Sequence, residues 1–177
     1  MMRLKKYFFI ISLSFLPVIS QAVTPSAQVG FSPEGSAREL VLSVINSSDK
    51  SIRMMAYSFT APDIAKALVK AKERGVDVKI VVDEKGNRGR SSIAAMNYIV
   101  NHNIPLRTNS EYASMHDKLI ISDGETVETG SLNFTSSAER RNSENAAVIW
   151  NMPQFAKMYL DHWQSRWNEG SDYHSSY

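Results

Sequence analysis

The sequence predicts an α/β domain, a layered sandwich in which helices flank a mixed β-sheet on both faces. Short apolar segments of β character alternate along the chain with segments whose apolar residues recur at helical spacing. Turn-forming residues separate one segment from the next. The length of 177 residues is enough for one such domain and hardly enough for two.

Each predicted element has its own signal in the chain. The apolar residues between Leu40 and Ile45 recur at helical spacing. Pro62 stands near the start of a helix and Gly75 at its end. Asp123-Gly124 lies between two β segments and is typical of a hairpin turn. The predicted helices are Ser36–Ser48, Pro62–Arg74, Ser91–Asn101, a short helix opened by a capping box at Ser136–Glu139, and Pro153–Trp167; the predicted strands are Ser51–Phe59, Val76–Val82, Ile104–Arg107, His116–Ser122, Thr126–Thr129 and Asn145–Trp150.

The N-terminal segment has the layout of a secretory signal peptide. Met1–Lys6 is positively charged, Tyr7–Ile19 is almost wholly apolar, and Ser20-Gln21-Ala22 places small residues before a cleavage point. A membrane anchor is the alternative, but the apolar run is well short of the roughly 20 residues that span a bilayer. We therefore expect residues 1–22 to be a signal peptide and residues 23–177 to form one catalytic domain, exported to the periplasm or secreted from a bacterium.

Composition excludes several classes of chemistry and of partner. The chain has no cysteine, so it has no disulfide, no thiolate metal site and no cysteine nucleophile. Its formal net charge is +2, but three of its 20 basic residues lie in the first 22 residues, leaving 17 basic residues against 18 acidic ones. Binding of a polyanion must therefore come from a local basic patch rather than from bulk charge.

His116 and Lys118 carry the strongest chemical signal. On a strand, residues two apart leave the same face, so the imidazole and the ammonium are expected side by side. Such a pair suits attack on an anion, because the lysine neutralises the anionic oxygens while the histidine acts as nucleophile or proton carrier. Asp123 completes the pattern His-x-Lys-x-x-x-x-Asp. A structural role in the hairpin turn is at least as compatible with Asp123 as a catalytic role.

A second polar segment follows on the next predicted strand. Gly130-Ser131-Leu132-Asn133 places a hydroxyl and a carboxamide at a strand end, where backbone N–H groups also can face an anion. The two segments together closely resemble the phospholipase D superfamily, whose signature is His-x-Lys-x4-Asp followed by Gly-Ser-x-Asn. The length and the single copy of the motif are most similar to the small bacterial endonucleases of that superfamily.

The resemblance implies a role for each matching residue. His116 matches the nucleophile that forms a covalent phosphohistidine, and Lys118 and Asn133 match groups that bind the phosphate oxygens. Ser131 and Glu144 match supporting residues that form hydrogen bonds within the site. Gly130 and Asp123 match structural positions of the motif.

Other polar residues carry weaker signals. No histidine or carboxylate spacing indicates a metal site, and we expect neither a metal nor another cofactor. Lys85, Arg88 and Arg90 lie on a glycine-containing loop that is equally compatible with nucleic-acid backbone binding and with a solvated surface. The other histidines lack a paired carboxylate in the sequence, and His162 is expected on the surface of the last helix. Trp163 and Trp167 share one face of that helix and are more typical of core than of base stacking.

These observations predict a phosphodiesterase that cleaves DNA, with RNA as a further candidate substrate, without sequence preference and without metal. A lipid phosphodiesterase would use the same residues, since the motif recognises the diester and not its substituents. A nucleic-acid-binding module without activity would have no use for the complete residue set. Since the chemistry needs two imidazoles and the chain has one motif, we expect a homodimer with a composite active site. A monomer in which His102 or His162 serves as the acid is the alternative.

Overall fold

The computed structural model describes residues 24–175 and 177, and it contains one mixed sheet with five helices. The signal peptide expected at residues 1–22 lies outside the described residues. The strands are β1 (Ser26–Ser32), β2 (Ser51–Ala56), β3 (Asp77–Asp83), β4 (Leu106–Asn109), β5 (Lys118–Ser122), β6 (Thr126–Gly130), β7 (Glu144–Trp150) and β8 (Ser171–Asp172). The helices are α1 (Ser36–Ser47), α2 (Pro62–Glu73), α3 (Arg90–Asn101), α4 (Ser136–Arg140) and α5 (Pro153–Glu169).

The strand order is β1-β7-β6-β5-β2-β3-β4-β8. β2, β3 and β4 are parallel, and every other neighbouring pair is antiparallel. The C-terminal ends of β2, β3 and β6 therefore share one edge of the sheet with the N-terminal ends of β5 and β7. We call this end of the strands the catalytic edge, because it carries the predicted motif residues His116 and Lys118, and we call the opposite end of the strands the far edge.

Two apolar layers cover the sheet. Helices α1, α2 and α3 pack on one face through buried residues such as Val44, Leu68 and Ile99. Helix α5 packs on the other face, where Trp163 is 1% exposed and lies among Met55, Leu119 and neighbouring side chains. The predicted sandwich of a mixed sheet between helices is thus confirmed. No helix within residues 24–175 is long and apolar enough to cross a bilayer.

The element boundaries differ from expectation in a few places. Strands β1 and β8 were not predicted, since both lie at the sheet margins and their residues are mostly exposed. The capping-box prediction for α4 was displaced by one residue, because Thr135 is the N-cap and its hydroxyl accepts a hydrogen bond from the Ala138 N–H at 3.2 Å. The predicted strand from His116 begins only at Lys118.

Candidate active site

His116 and Lys118 meet at the catalytic edge although His116 precedes β5. The Lys118 Nζ lies 3.0 Å from Nδ1 and 3.3 Å from Nε2 of the imidazole, and it donates to the His116 carbonyl at 2.8 Å. Lys118 is only 7% exposed, whereas the His116 side chain is open to solvent. A buried ammonium is thereby fixed against an accessible imidazole, which is the arrangement expected for attack on an anion.

Burial changes the acid–base behaviour of Lys118. Loss of solvent around the ammonium lowers the pKa of Lys118 below its ordinary value, and the carboxylates of Asp117 and Glu144 partly oppose that shift. The influence of Glu144 on Lys118 also shows that the two polar segments of the motif lie in one electrostatic neighbourhood. A phosphate placed here would restore a negative partner to the desolvated ammonium.

Tyr57, immediately after β2, completes this cluster. Its ring centroid is 4.4 Å from that of His116, with the planes tilted by 55°, and it lies 5.2 Å from the Lys118 Nζ. The Tyr57 N–H donates to the Asp117 carbonyl at 2.9 Å, which joins the end of β2 to the motif. The His116 imidazole and the Lys118 ammonium therefore share one aromatic neighbour. The sequence analysis did not identify Tyr57, because no local spacing relates it to a histidine 59 positions further along the chain.

Two buried residues hold the segments that carry Tyr57 and His116. The Asp83 carboxylate accepts the Met115 N–H at 2.7 Å and the Gly86 N–H at 2.6 Å. The Asn87 side chain donates to the Tyr57 carbonyl at 2.9 Å and accepts the Phe59 N–H at 2.9 Å. The loop after β3 thus fixes the backbone on both sides of the aromatic contact. The sequence analysis identified neither Asp83 nor Asn87 as a site residue.

Ser131 and Glu144 form the second half of the site. The Ser131 hydroxyl donates to the Glu144 carboxylate at 2.5 Å and accepts the Asn145 N–H at 3.0 Å. Glu144 also accepts from the Asn142 amide at 3.1 Å. The pair is thereby oriented by the start of β7 as well as by the end of β6.

Gly130 permits this close approach of the two strands. A Cβ at Gly130 would lie 2.2 Å from the Asn145 carbonyl oxygen, a distance that no side chain tolerates. That carbonyl accepts the N–H groups of both Ser131 and Leu132. The glycine of the motif is therefore required by backbone packing.

Asn133 follows at the same edge, in the loop between β6 and α4. Its Oδ1 atom is buried without a hydrogen-bond partner among the described residues. The next residue, Phe134, is anchored to the segment between β2 and α2, because its carbonyl accepts the N–H groups of Thr60 at 2.9 Å and Ala61 at 3.0 Å. The loop that carries Asn133 is thus tied to the segment that carries Tyr57.

Asp123 lies away from this cluster, at the far edge. It occupies the hairpin turn with a φ of 55°, and its carboxylate accepts the N–H groups of Asp49 at 3.0 Å and of Lys50 and Ser51 at 2.8 Å. Of the two roles left open by the sequence, the geometry fits the structural one.

The other histidines occupy different places. His102 ends α3 and His174 follows β8, and both lie toward the far edge. The expectation that His162 has no carboxylate partner is wrong, since its Nε2 lies 3.2 Å from the Asp117 Oδ1. The partners are 45 residues apart in the sequence, on α5 and before β5, so only the fold brings them together.

The basic loop reaches the catalytic edge but is partly engaged. Arg88 pairs with Glu84 at 2.6 Å, and Lys85 donates to the Tyr112 carbonyl at 3.3 Å. Arg90 is exposed at the first turn of α3.

Trp163 and Trp167, on α5, stack on each other with ring centroids 5.1 Å apart. The described residues contain no cluster of three or more histidines or carboxylates that could hold a metal ion.

Comparison with known proteins gives the same family from sequence and from structure. The family model described as "Cardiolipin synthase, PLD-like domain" matches residues 41–167. The protein named phospholipase D of Rickettsia bellii is 33% identical over 148 residues, covering 84% of this chain and 72% of that protein. The phospholipase D family member Nuc from Salmonella typhimurium is 70% identical and superposes with a TM-score of 0.85, covering 86% of this chain and 100% of that one. NucT from Helicobacter pylori shares the fold at 22% identity, with a TM-score of 0.77 over 85% of this chain and 100% of that one.

The chain therefore belongs to the phospholipase D-like family, and it is a phosphodiesterase of that superfamily. The resemblance inferred from His116–Asp123 and Gly130–Asn133 is confirmed.

Proposed function

We propose that this phosphodiesterase is an endonuclease that cleaves DNA, and also RNA, without sequence preference. The observation that carries the proposal is the fixed contact of the buried Lys118 ammonium with the exposed His116 imidazole, 3.0 Å apart. The high identity to the Salmonella protein named Nuc favours a nucleic acid over other diesters.

In the proposed reaction, a neutral His116 ring nitrogen attacks the phosphorus of the diester. A phosphorus–nitrogen bond forms, the bond to the leaving oxygen breaks, and that oxygen takes a proton from a second, protonated imidazole. The Lys118 ammonium and the Asn133 amide stabilise the charge on the phosphate oxygens, while Ser131 and Glu144 orient one another beside it. Water then hydrolyses the phosphohistidine, and the second imidazole accepts the water's proton.

We infer that the second imidazole is the partner's His116 in a homodimer. Among the described histidines, His102 and His174 lie toward the far edge and His162 is engaged by Asp117. A two-fold axis beside the catalytic edge would bring the two copies of the cluster together and double the positive charge at the diester.

The open face of β1 and β7 is suited to receive that second copy. Val29 and Phe31 are 56% and 51% exposed, and they project on the side of the sheet that α5 leaves uncovered at this margin. Phe31 pairs with Asn145, directly beside Glu144. This apolar surface is therefore continuous with the candidate site, as a composite active site requires.

The proposed reaction is independent of metal because Lys118 supplies the charge that a divalent ion would otherwise supply. We further propose that the protein is exported, with residues 1–22 removed as a signal peptide and residues 23–177 acting in the periplasm or outside the cell.

A lipid phosphodiesterase is the second candidate. The Rickettsia relatives named phospholipase D favour it, and the same residues could act on a phospholipid diester. The two candidates differ only in what flanks the phosphate.

Incubation of residues 23–177 with plasmid DNA, RNA and phosphatidylcholine vesicles in EDTA tests the proposal. We expect cleavage of DNA in EDTA and no release of choline, with the His116→Ala variant as the matched inactive control. Choline release without DNA cleavage would replace the nuclease by the lipid enzyme. Loss of activity in EDTA with recovery in Mg²⁺ would overturn the mechanism.

A further inference from the structure

A cavity outside the His116 cluster opens between α2 and α3. Its volume is about 490 Å³, within the range of small-molecule sites. We call it the α2–α3 groove. The residues used below that line it are Thr60, Lys66, Ser91, Ala94, Tyr98 and Ser136.

The groove begins beside the candidate active site. Thr60 lines it and donates its N–H to the Phe134 carbonyl, one residue after Asn133. Ser136 also lines it and is three residues after Asn133, so their Cα atoms are at most about 11 Å apart. From Ser91 to Tyr98 the groove follows α3 for about 10 Å. A ligand could therefore extend from the catalytic phosphate into the groove.

The lining suits a flat ring with polar edges. Small apolar side chains such as Ala94 form much of its wall, and Tyr98 contributes a half-buried aromatic ring. Hydroxyl groups of Thr60, Ser91 and Ser136 are distributed around the same space. Bases of single-stranded nucleic acid bind to such combinations of an aromatic platform with donors and acceptors. An acyl chain would leave these hydroxyl groups without partners.

The charge around the groove is complementary to a phosphodiester backbone. Lys66 lines the groove, and Lys70 is exposed one turn further along α2. Arg90 is exposed at the start of α3, a helix that contains no acidic residue. The α2 carboxylate of Asp63 does not line the groove and is paired with Arg38 at 2.5 Å. The cationic side chains can therefore follow the backbone while a base enters the groove.

We propose that the α2–α3 groove binds a base of single-stranded nucleic acid next to the phosphate that is cleaved. This inference rests on the proposed nuclease function and adds a preference for unpaired over fully paired substrate. A base held in a duplex is stacked and cannot enter a groove between two helices.

The test fills the groove without touching the candidate catalytic residues. Ala94 is exposed, so Ala94→Phe adds a ring to the groove at little cost to the core. Lys66→Ala removes the rim charge, and Lys50→Ala, at the far edge, is its matched control. Binding of a labelled single-stranded oligonucleotide is measured in the His116→Ala background, where nothing is cleaved. Cleavage of bis(p-nitrophenyl) phosphate, too small to reach the groove, is measured in the active background.

We expect Ala94→Phe to weaken oligonucleotide binding about tenfold, as for loss of one stacked base. Lys66→Ala should weaken it less, and Lys50→Ala should have no effect. An oligonucleotide made wholly of abasic sugars should bind the parent and Ala94→Phe equally. Hydrolysis of the small diester should be unchanged in all three variants.

Equal binding of the ordinary oligonucleotide by parent and Ala94→Phe would overturn the groove assignment. The assignment would also be overturned if Ala94→Phe weakened binding to phosphatidylcholine vesicles and not to the oligonucleotide, because the groove would then hold an acyl chain. If the unmodified protein cleaved neither the oligonucleotide nor bis(p-nitrophenyl) phosphate, the proposed function would be overturned. The binding measurement would still decide whether the groove holds a base.

Discussion

The ring of Tyr57 packs against the ring of His116 with their centroids 4.4 Å apart, and the same ring lies 5.2 Å from the Lys118 Nζ. This contact links the central strand β2 to the motif at the start of β5. An aromatic face stabilises a cation and restricts the imidazole to one orientation. Tyr57 is thereby a positioning residue, since it acts on a phosphate only through its neighbours.

Replacement of Tyr57 separates the effect of the ring from that of the hydroxyl. Tyr57→Phe keeps the aromatic face, so we expect turnover close to that of the parent. Tyr57→Leu should lower kcat roughly 3- to 30-fold, the range of a cation–π contact, with a smaller change in KM. Equal kcat in Tyr57→Leu and in the parent would refute the positioning role.

Removal of His116 should abolish turnover while the protein stays folded. Loss of a nucleophile typically costs several orders of magnitude, because the groups of a site act as a unit. Lys118→Ala should be severely impaired as well, through lost charge stabilisation. His102→Ala should retain full activity, and circular dichroism should show native folding for all three. A folded His116→Ala protein that cleaves DNA at a near-normal rate would contradict the assignment, as would full loss in His162→Ala with His116→Ala active.

Mixing experiments test the composite site directly. Equal amounts of the parent and His116→Ala chains are dissociated and reassociated together. If each site needs both copies of His116, the mixture should retain about a quarter of the parent's activity, because only parent–parent dimers function. Independent monomers would retain about half. Sedimentation should report twice the chain mass, and the pH–rate profile should be bell-shaped for a coupled acid and base.

Disruption of the proposed dimer surface gives a second measurement. Phe31→Asp should weaken association, so its specific activity should fall on dilution and recover at high protein concentration. Met158→Asp, on α5 and 70% exposed, is the matched control and should associate normally. A monomeric Phe31→Asp protein with full activity at every concentration would exclude the composite site.

A buried glutamate in the sheet should make stability depend on pH. Burial raises the pKa of Glu128 to about 8, and neither of its carboxylate oxygens has a hydrogen-bond partner among the described residues. Between about pH 4.5 and pH 8 the unfolded chain releases this proton while the folded chain keeps it, so the free energy of unfolding falls as pH rises. The loss is on the order of 1 kcal/mol per pH unit.

Urea unfolding of Glu128→Gln checks this linkage. The variant should show a shallower decline between about pH 5 and pH 7.5, whereas Glu125→Gln, in the exposed hairpin, should decline as the parent does. Burial raises the pKa of Glu139 to about 7, with help from the neighbouring Asp63 carboxylate, so part of the slope should remain in Glu128→Gln. Identical slopes in the parent and Glu128→Gln would show that Glu128 is ionised in the folded protein.

The sequence contained most of the fold because its strands and helices carry local signals. β3 contains the apolar run Ile80–Val82, and α2 begins with Pro62 and ends before Gly75. β1 was not predicted, since only Gly30 and Ser32 of its seven residues are buried and its partner β7 is over 100 residues away. An edge strand of that kind depends on its neighbour rather than on its own composition.

The candidate site was predictable only where its residues follow each other in the chain. His116 and Lys118 are two residues apart, and Ser131 and Asn133 follow shortly after them. Tyr57 follows β2, Asp83 ends β3 and Asn87 lies in the loop after β3. Pairing of distant strands brings them to His116. The contact between Asp117 and His162 was missed for the same reason.

The hydrogen bonds of Asp123 give a structural reason for the spacing between Lys118 and Asp123 in the motif. Asp123 fixes one end of β5 against the segment before β2, while Lys118 lies at the other end. Four residues of β5 separate Lys118 from Asp123. The hydrogen bonds of Asp123 therefore fix the register of β5 from the end opposite Lys118. Because side chains alternate between faces, inserting or deleting a single residue in this interval would turn the Lys118 ammonium to the face covered by α5. The spacing of four residues between Lys118 and Asp123 therefore determines where the Lys118 ammonium lies in the candidate site.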